Sequence, residues 1–110
     1  MKVIYIAGPY RGKNSWAVEQ HIRHAETFAL AAAGLGVVAL CPHSMNRYFD
    51  GTLTDAYWLE ATAVLLLRAD ALLLIPGWQD SVGATAERDL AAERGIPLLY
   101  GLEELKKWLR

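Results

Sequence analysis

The sequence predicts one small doubly wound α/β domain. It should be three-layered and Rossmann-like or flavodoxin-like, with a parallel sheet of four or five strands in the order 2-1-3-4. Three observations predict it. Short apolar runs alternate with helix-length segments in the order βαβαβαβα. The later runs, "VVALC", "ALLLI" and "PLLY", are apolar almost throughout, as strands covered by helices on both faces are. The connections are short, which implies right-handed crossovers and parallel strands. Residues 1–110 fit a single domain, and a chain of this length buries roughly two-thirds of its unfolded surface.

Each element has a local reason. "KVIYIAG" is β-branched and aromatic and ends at a glycine, so it reads as the first strand. "PYRGKN" is turn chemistry, and Ser15 is placed to cap the helix "WAVEQHIRHAETFALAAAG". In that helix Val18, Ile22, Ala25, Phe28 and Ala29 recur at helical spacing, and Gly34 and Gly36 close it. "VVALC" is the second strand and "PHSMNRYFDG" a polar and aromatic loop. Thr54 is placed to cap the helix "DAYWLEATAVLLLRA", which leads to the third strand, "ALLLI". Helix "GATAERDLAAERG" stops at Gly95, strand "PLLY" follows, and "LEELKKWLR" is a last amphipathic helix.

Composition excludes several classes. With 54% hydrophobic and 21% charged residues the chain is globular. Formal net charge is −1 and no basic cluster exceeds Lys106-Lys107, so DNA and RNA are not expected partners. The single cysteine, Cys41, permits no intrachain disulfide and no cysteine-rich metal site, and reads as a buried strand-end residue. His21 and His24 lie three apart on a helix, but no carboxylate or cysteine completes a ligand set, so neither metal nor cofactor is expected. No apolar stretch approaches the roughly 20 residues of a membrane span. The N-terminus runs into a strand pattern without a signal-peptide layout, and the expectation is a cytoplasmic protein.

In a doubly wound sheet ligands bind beyond the carboxyl ends of the strands, at the switch point between strands one and three. The loops from Gly8 to Asn14, Pro42 to Gly51 and Pro76 to Gly83 should therefore converge. "GPYRGKN" fails as a Walker A loop, because three residues separate Gly8 from Gly12 and Asn14 follows Lys13. It remains a turn before a helix N-terminus, where Tyr10, Arg11 and Gly12 would lie near an anion that Arg11 grips, or else a plain turn with solvated charges. His43 hydrogen-bonds a ligand or fixes its loop. Trp78, expected exposed at the cleft rim, offers a stacking platform or an oligomer contact. Ser81 caps the helix after strand three, offers its hydroxyl to an anionic group, or does both. Glu87 is the strongest signal. With Leu90, Ala91 and Arg94 it follows helical spacing, which puts a carboxylate on the apolar face, where it must be paired, hydrogen-bonded or neutral. The small Gly83 and Ala84 leave room beside it; a structural ion pair with a nearby arginine is the alternative.

Together "YIAGPYRG", "VVALCPHS" and "RADALLLIPGWQDSVGATAERDLAAERGIPLLY" resemble the nucleoside 2-deoxyribosyltransferase-like superfamily, and within it the small DUF4406-type proteins. A related member is the 2'-deoxynucleoside 5'-phosphate N-hydrolase. The sharpest shared pattern is met by Asp70, Gly77, Trp78, Ser81, Gly83, Ala84 and Glu87. The resemblance implies an N-glycosidase (hydrolase) or deoxyribosyltransferase acting on a nucleoside or nucleoside 5'-monophosphate. It makes Glu87 the nucleophile toward C1', Tyr5 its support, Ser81 a contact to the 5' end, and the "GPYRG" turn, from Gly8, a bed for the sugar-phosphate. It also implies a homo-oligomer, for which "NRYFDG", Trp58 and Trp78 supply aromatic surface. The catalytic relatives carry an aspartate eight residues before the position of Asp70; here that residue is Thr62. Glu60 lies about 200° away around the helix and does not substitute. A non-catalytic nucleotide-binding or assembly module on the same fold is therefore the alternative.

Overall fold

The computed structural model describes residues 1–110. Its sheet contains β1 (Val3–Ala7), β2 (Val38–Leu40), β3 (Ala71–Leu74) and β4 (Leu98–Tyr100), all parallel, in the order β2-β1-β3-β4. The helices are α1 (Ser15–Ala33), α2 (Pro42–Met45), α3 (Asp55–Leu67), α4 (Val82–Glu93) and α5 (Leu102–Trp108), with a 3-10 turn at Trp78–Asp80. The strand order and four-stranded parallel sheet agree with the sequence expectation.

Strand alternation splits the core in two. Ile4, Ile6, Ala71, Leu73 and Ile75 point to one face, where Ala25 and Ala32 of α1 and Leu105 of α5 cover them. Tyr5, Ala7, Leu72 and Leu74 point to the other, under Leu66 of α3 and Ala91 of α4. This parity alone puts the Tyr5 side chain on the α3/α4 side.

The caps follow ordinary chemistry. Thr54 accepts from the Tyr57 amide at 3.1 Å and Ser81 from the Ala84 amide at 3.1 Å. At α1 the cap is Asn14, one residue earlier than the expected Ser15; its side-chain oxygen accepts from the Ala17 amide at 2.8 Å. The segment expected to be all loop after β2 opens with α2, a single turn with Pro42 at its first position. Asp70 closes the base of the sheet: its carboxylate accepts from the Val3 amide at 2.8 Å, and its own amide donates to the Val3 carbonyl. No helix is long and apolar enough to cross a membrane.

Candidate functional site

The three loops at the carboxyl edge of the sheet do converge. Histidines brace them, one from the second loop to the first and two from α1. His43 Nε2 lies 2.9 Å from the Pro9 carbonyl, His21 Nδ1 3.0 Å from the Tyr10 carbonyl, and His24 Nε2 3.1 Å from the Pro76 carbonyl. A carbonyl only accepts, so each of these nitrogens carries the hydrogen and donates. Gly77 (φ 95°) brings the third loop against the first: a Cβ there would sit 3.1 Å from Pro9. At Gly8 a Cβ would lie 2.4 Å from the Ile75 side chain, so the end of β1 tolerates no side chain.

His43 is buried and its ring meets Tyr10 edge-on. Burial lowers its pKa from the ordinary value, against the pull of the Pro9 carbonyl. With Nε2 spent on the first loop and Nδ1 buried without a partner, the geometry supports the loop-fixing alternative. Ser44 and Arg47 extend the tie, donating to Glu26 of α1 at 2.6 and 3.0 Å. Tyr10 donates to Asp50, which joins the first loop to the second and holds the phenol above its ordinary range, burial being the larger cause.

Glu87 lies little more than one turn into α4. Its partner is the Tyr5 hydroxyl, which donates to Oε2. No arginine or lysine pairs with it, so the ion-pair alternative does not hold. Burial pushes Glu87 up to about 7, while the Tyr5 hydrogen bond pulls the other way. Tyr5 is itself driven far above its ordinary range, by burial first and by the Glu87 carboxylate second. Thr62 of α3 approaches the same phenol, and its Oγ1 donates to the Trp58 carbonyl at 3.0 Å. Glu87, Tyr5 and Thr62 thus form one cluster on the α3/α4 side.

Other expectations change. Arg11 is exposed and pairs with Asp55 at 3.1 Å. Trp78 is not exposed at a rim: it is half-buried against the α3/α4 core, 5.6 Å from the Tyr100 ring, with the Arg88 guanidinium 5.4 Å over its face. The 3-10 turn folds the indole back onto the sheet. Gly12 packs on α1, where a Cβ would come 2.5 Å from that of Ala17, whereas beside Gly83 nothing lies closer than Ser81 Oγ at 3.9 Å. Two hollows flank the region. One of about 320 Å³ lies between Tyr10, Tyr48, Asp50 and α1; another of about 340 Å³ lies by Ser81 and Thr85. Neither includes Glu87.

Residues 2–100 match the family model described as "Domain of unknown function (DUF4406)". The chain belongs to the DUF4406 family. No curated protein matches its sequence. Among solved structures, this DUF4406 chain is similar to a conserved protein from Enterococcus faecalis V583, at 19% identity and a TM-score of 0.70, over 98% of this chain and 72% of that one. It is also similar to a 2-deoxyribosyltransferase from Bacillus psychrosaccharolyticus, at 19% identity and 0.62, over 88% and 69%. A 2-desoxiribosyltransferase from Leishmania mexicana matches at 22% and 0.64, over 90% of this chain and 63% of that one. At these identities the likeness establishes a shared fold.

Proposed function

We propose that the protein cleaves or transfers at the N-glycosidic bond of a nucleoside or nucleoside 5'-monophosphate, with Glu87 as nucleophile. One observation carries the reading: a half-buried carboxylate without a cation, set on a helix and held by a phenol, on a fold shared with deoxyribosyltransferases. The Glu87 carboxylate would attack C1', the bond to the base would break with its electron pair leaving on the base, and a glycosyl ester would form. Water, or a second base, would then release the sugar. This is the covalent carboxylate chemistry of retaining glycosidases. The Tyr5 hydrogen bond fixes the attacking oxygen and favours the anion. Ser81, Gly83 and the α4 N-terminus would face the 5' end. Gly8, Tyr10, Arg11 and Gly12 would lie under the sugar-phosphate, with His43 holding that turn. The acting species is a cytoplasmic homo-oligomer.

Incubation with deoxynucleosides and their monophosphates, with free base followed by chromatography, tests this. Base release should rise with pH through about 7 as Glu87 ionises, and fall by at least about a thousandfold in Glu87→Ala. Release that persists in the variant refutes the role of Glu87.

Thr62 favours a second reading, a module that binds nucleotides without turnover. An alcohol does not protonate a departing base, and general acid help is commonly worth about 10²–10⁴-fold. Calorimetric binding of a monophosphate with no base release would support it.

A further inference from the structure

Helix α3 is apolar on nearly every side, carrying only Asp55 and Glu60 as charges among its 13 residues. Its inner side reaches Tyr5 through Thr62 and buries Leu66 completely. Its outer side is bare. Tyr57, Val64 and Leu67 are 48%, 46% and 37% exposed. Helical geometry of about 100° per residue puts Tyr57, Glu60, Ala61, Val64, Leu67 and Arg68 within about 60° of one direction. Glu60 and Arg68 are exposed and take part in none of the subunit's ion pairs. They stand four residues before and four after Val64.

That spacing is self-complementary. If a second copy lays its α3 antiparallel on this one about a two-fold axis at Val64, each Glu60 meets the other copy's Arg68. Each Ala61 meets a Leu67, small against large, and the two Val64 side chains meet on the axis. An isologous contact requires this reciprocity.

We infer that α3 is the self-association surface of this protein, paired antiparallel about Val64 with two Glu60–Arg68 bridges. This names the surface for the oligomer proposed above and is separate from the chemistry at Glu87. Because the axis doubles every contact, one substitution reverses two pairs per dimer.

Sedimentation equilibrium of the full chain tests the inference, with circular dichroism confirming that each variant folds. The wild type should be a dimer. Glu60→Arg and Arg68→Glu should each weaken association by roughly tenfold or more. An equimolar mixture of the two should dimerise again, since every bridge in the mixed pair is then arginine to glutamate. Val64→Asp should leave a folded monomer. A monomeric wild type overturns the inference. So does a dimer indifferent to the charge reversals, or a failure of the mixture to recover.

Discussion

The two faces of the sheet end differently at its carboxyl edge. On the α1 side the polar groups are spent on architecture: three imidazoles donate to three loop carbonyls, and Arg47 and Ser44 are tied to Glu26. On the α3/α4 side a half-buried carboxyl group leans on a phenol with no cation to neutralise it. The first arrangement spends its donors on holding loops, although His43 Nδ1 and Arg47 Nε stay without partners. The second leaves a group poised to titrate near neutrality, a configuration that costs folding free energy and is characteristic of reacting sites.

Substitutions can break that contrast. The largest effect should come from Glu87→Gln. Glu87 ionises at about 7 in the folded protein against an ordinary 4.5. The folded state therefore holds the proton more tightly, and the stability this contributes is complete below 4.5 and lost as pH rises through 7. The loss amounts to roughly 3 kcal/mol. Glu87→Gln should flatten that dependence, so denaturant melts at pH 5 and pH 8 should differ less than in the wild type by about that amount. If the two proteins show the same pH dependence, Glu87 is not the titrating group.

On the other face, His43→Ala should destabilise by about 2 kcal/mol at about pH 8, since the Pro9 carbonyl loses its donor and a cavity opens, and by less in acid, where the depressed imidazole pKa already costs the wild type stability. The loss should appear in urea melts as a lower midpoint with an unchanged slope. His24→Ala, at a half-buried position, should cost about 1 kcal/mol. The smallest effect separates the partners of the carboxyl: Tyr5→Phe removes the hydrogen bond that holds Glu87 down, so the Glu87 midpoint in a carbon-detected NMR titration should move above 7. A downward move would mean that the phenol does not donate.

The contrast was partly legible before any coordinates. The βαβ alternation prescribes the layers, and the period-2 alternation of β1 sends Tyr5 to the α3/α4 face. The i, i+3, i+4 pattern around Glu87 prescribes its inward face. Of the histidine ties only that of His43 was legible, as one of two readings; those of His21 and His24 reach carbonyls 11 and 52 residues away and leave no local pattern, and their spacing resembles a ligand pair more than a brace. The half-burial of Trp78 is not legible, because the 3-10 turn Trp78–Asp80, three residues of loop chemistry in sequence, turns the indole onto the core. Asn14 and Ser15 are both competent caps, and only the placed backbone chooses between them.

The three imidazoles also make the protein observable. They are the chain's only histidines, each bound to a different carbonyl, two in the first loop and one in the third. In a long-range nitrogen–proton spectrum of the rings they would yield one separate signal for each tie. Motion of the braced loops, on ligand entry or on warming, would be recorded at these resonances in nitrogen-15-labelled protein, with no added probe.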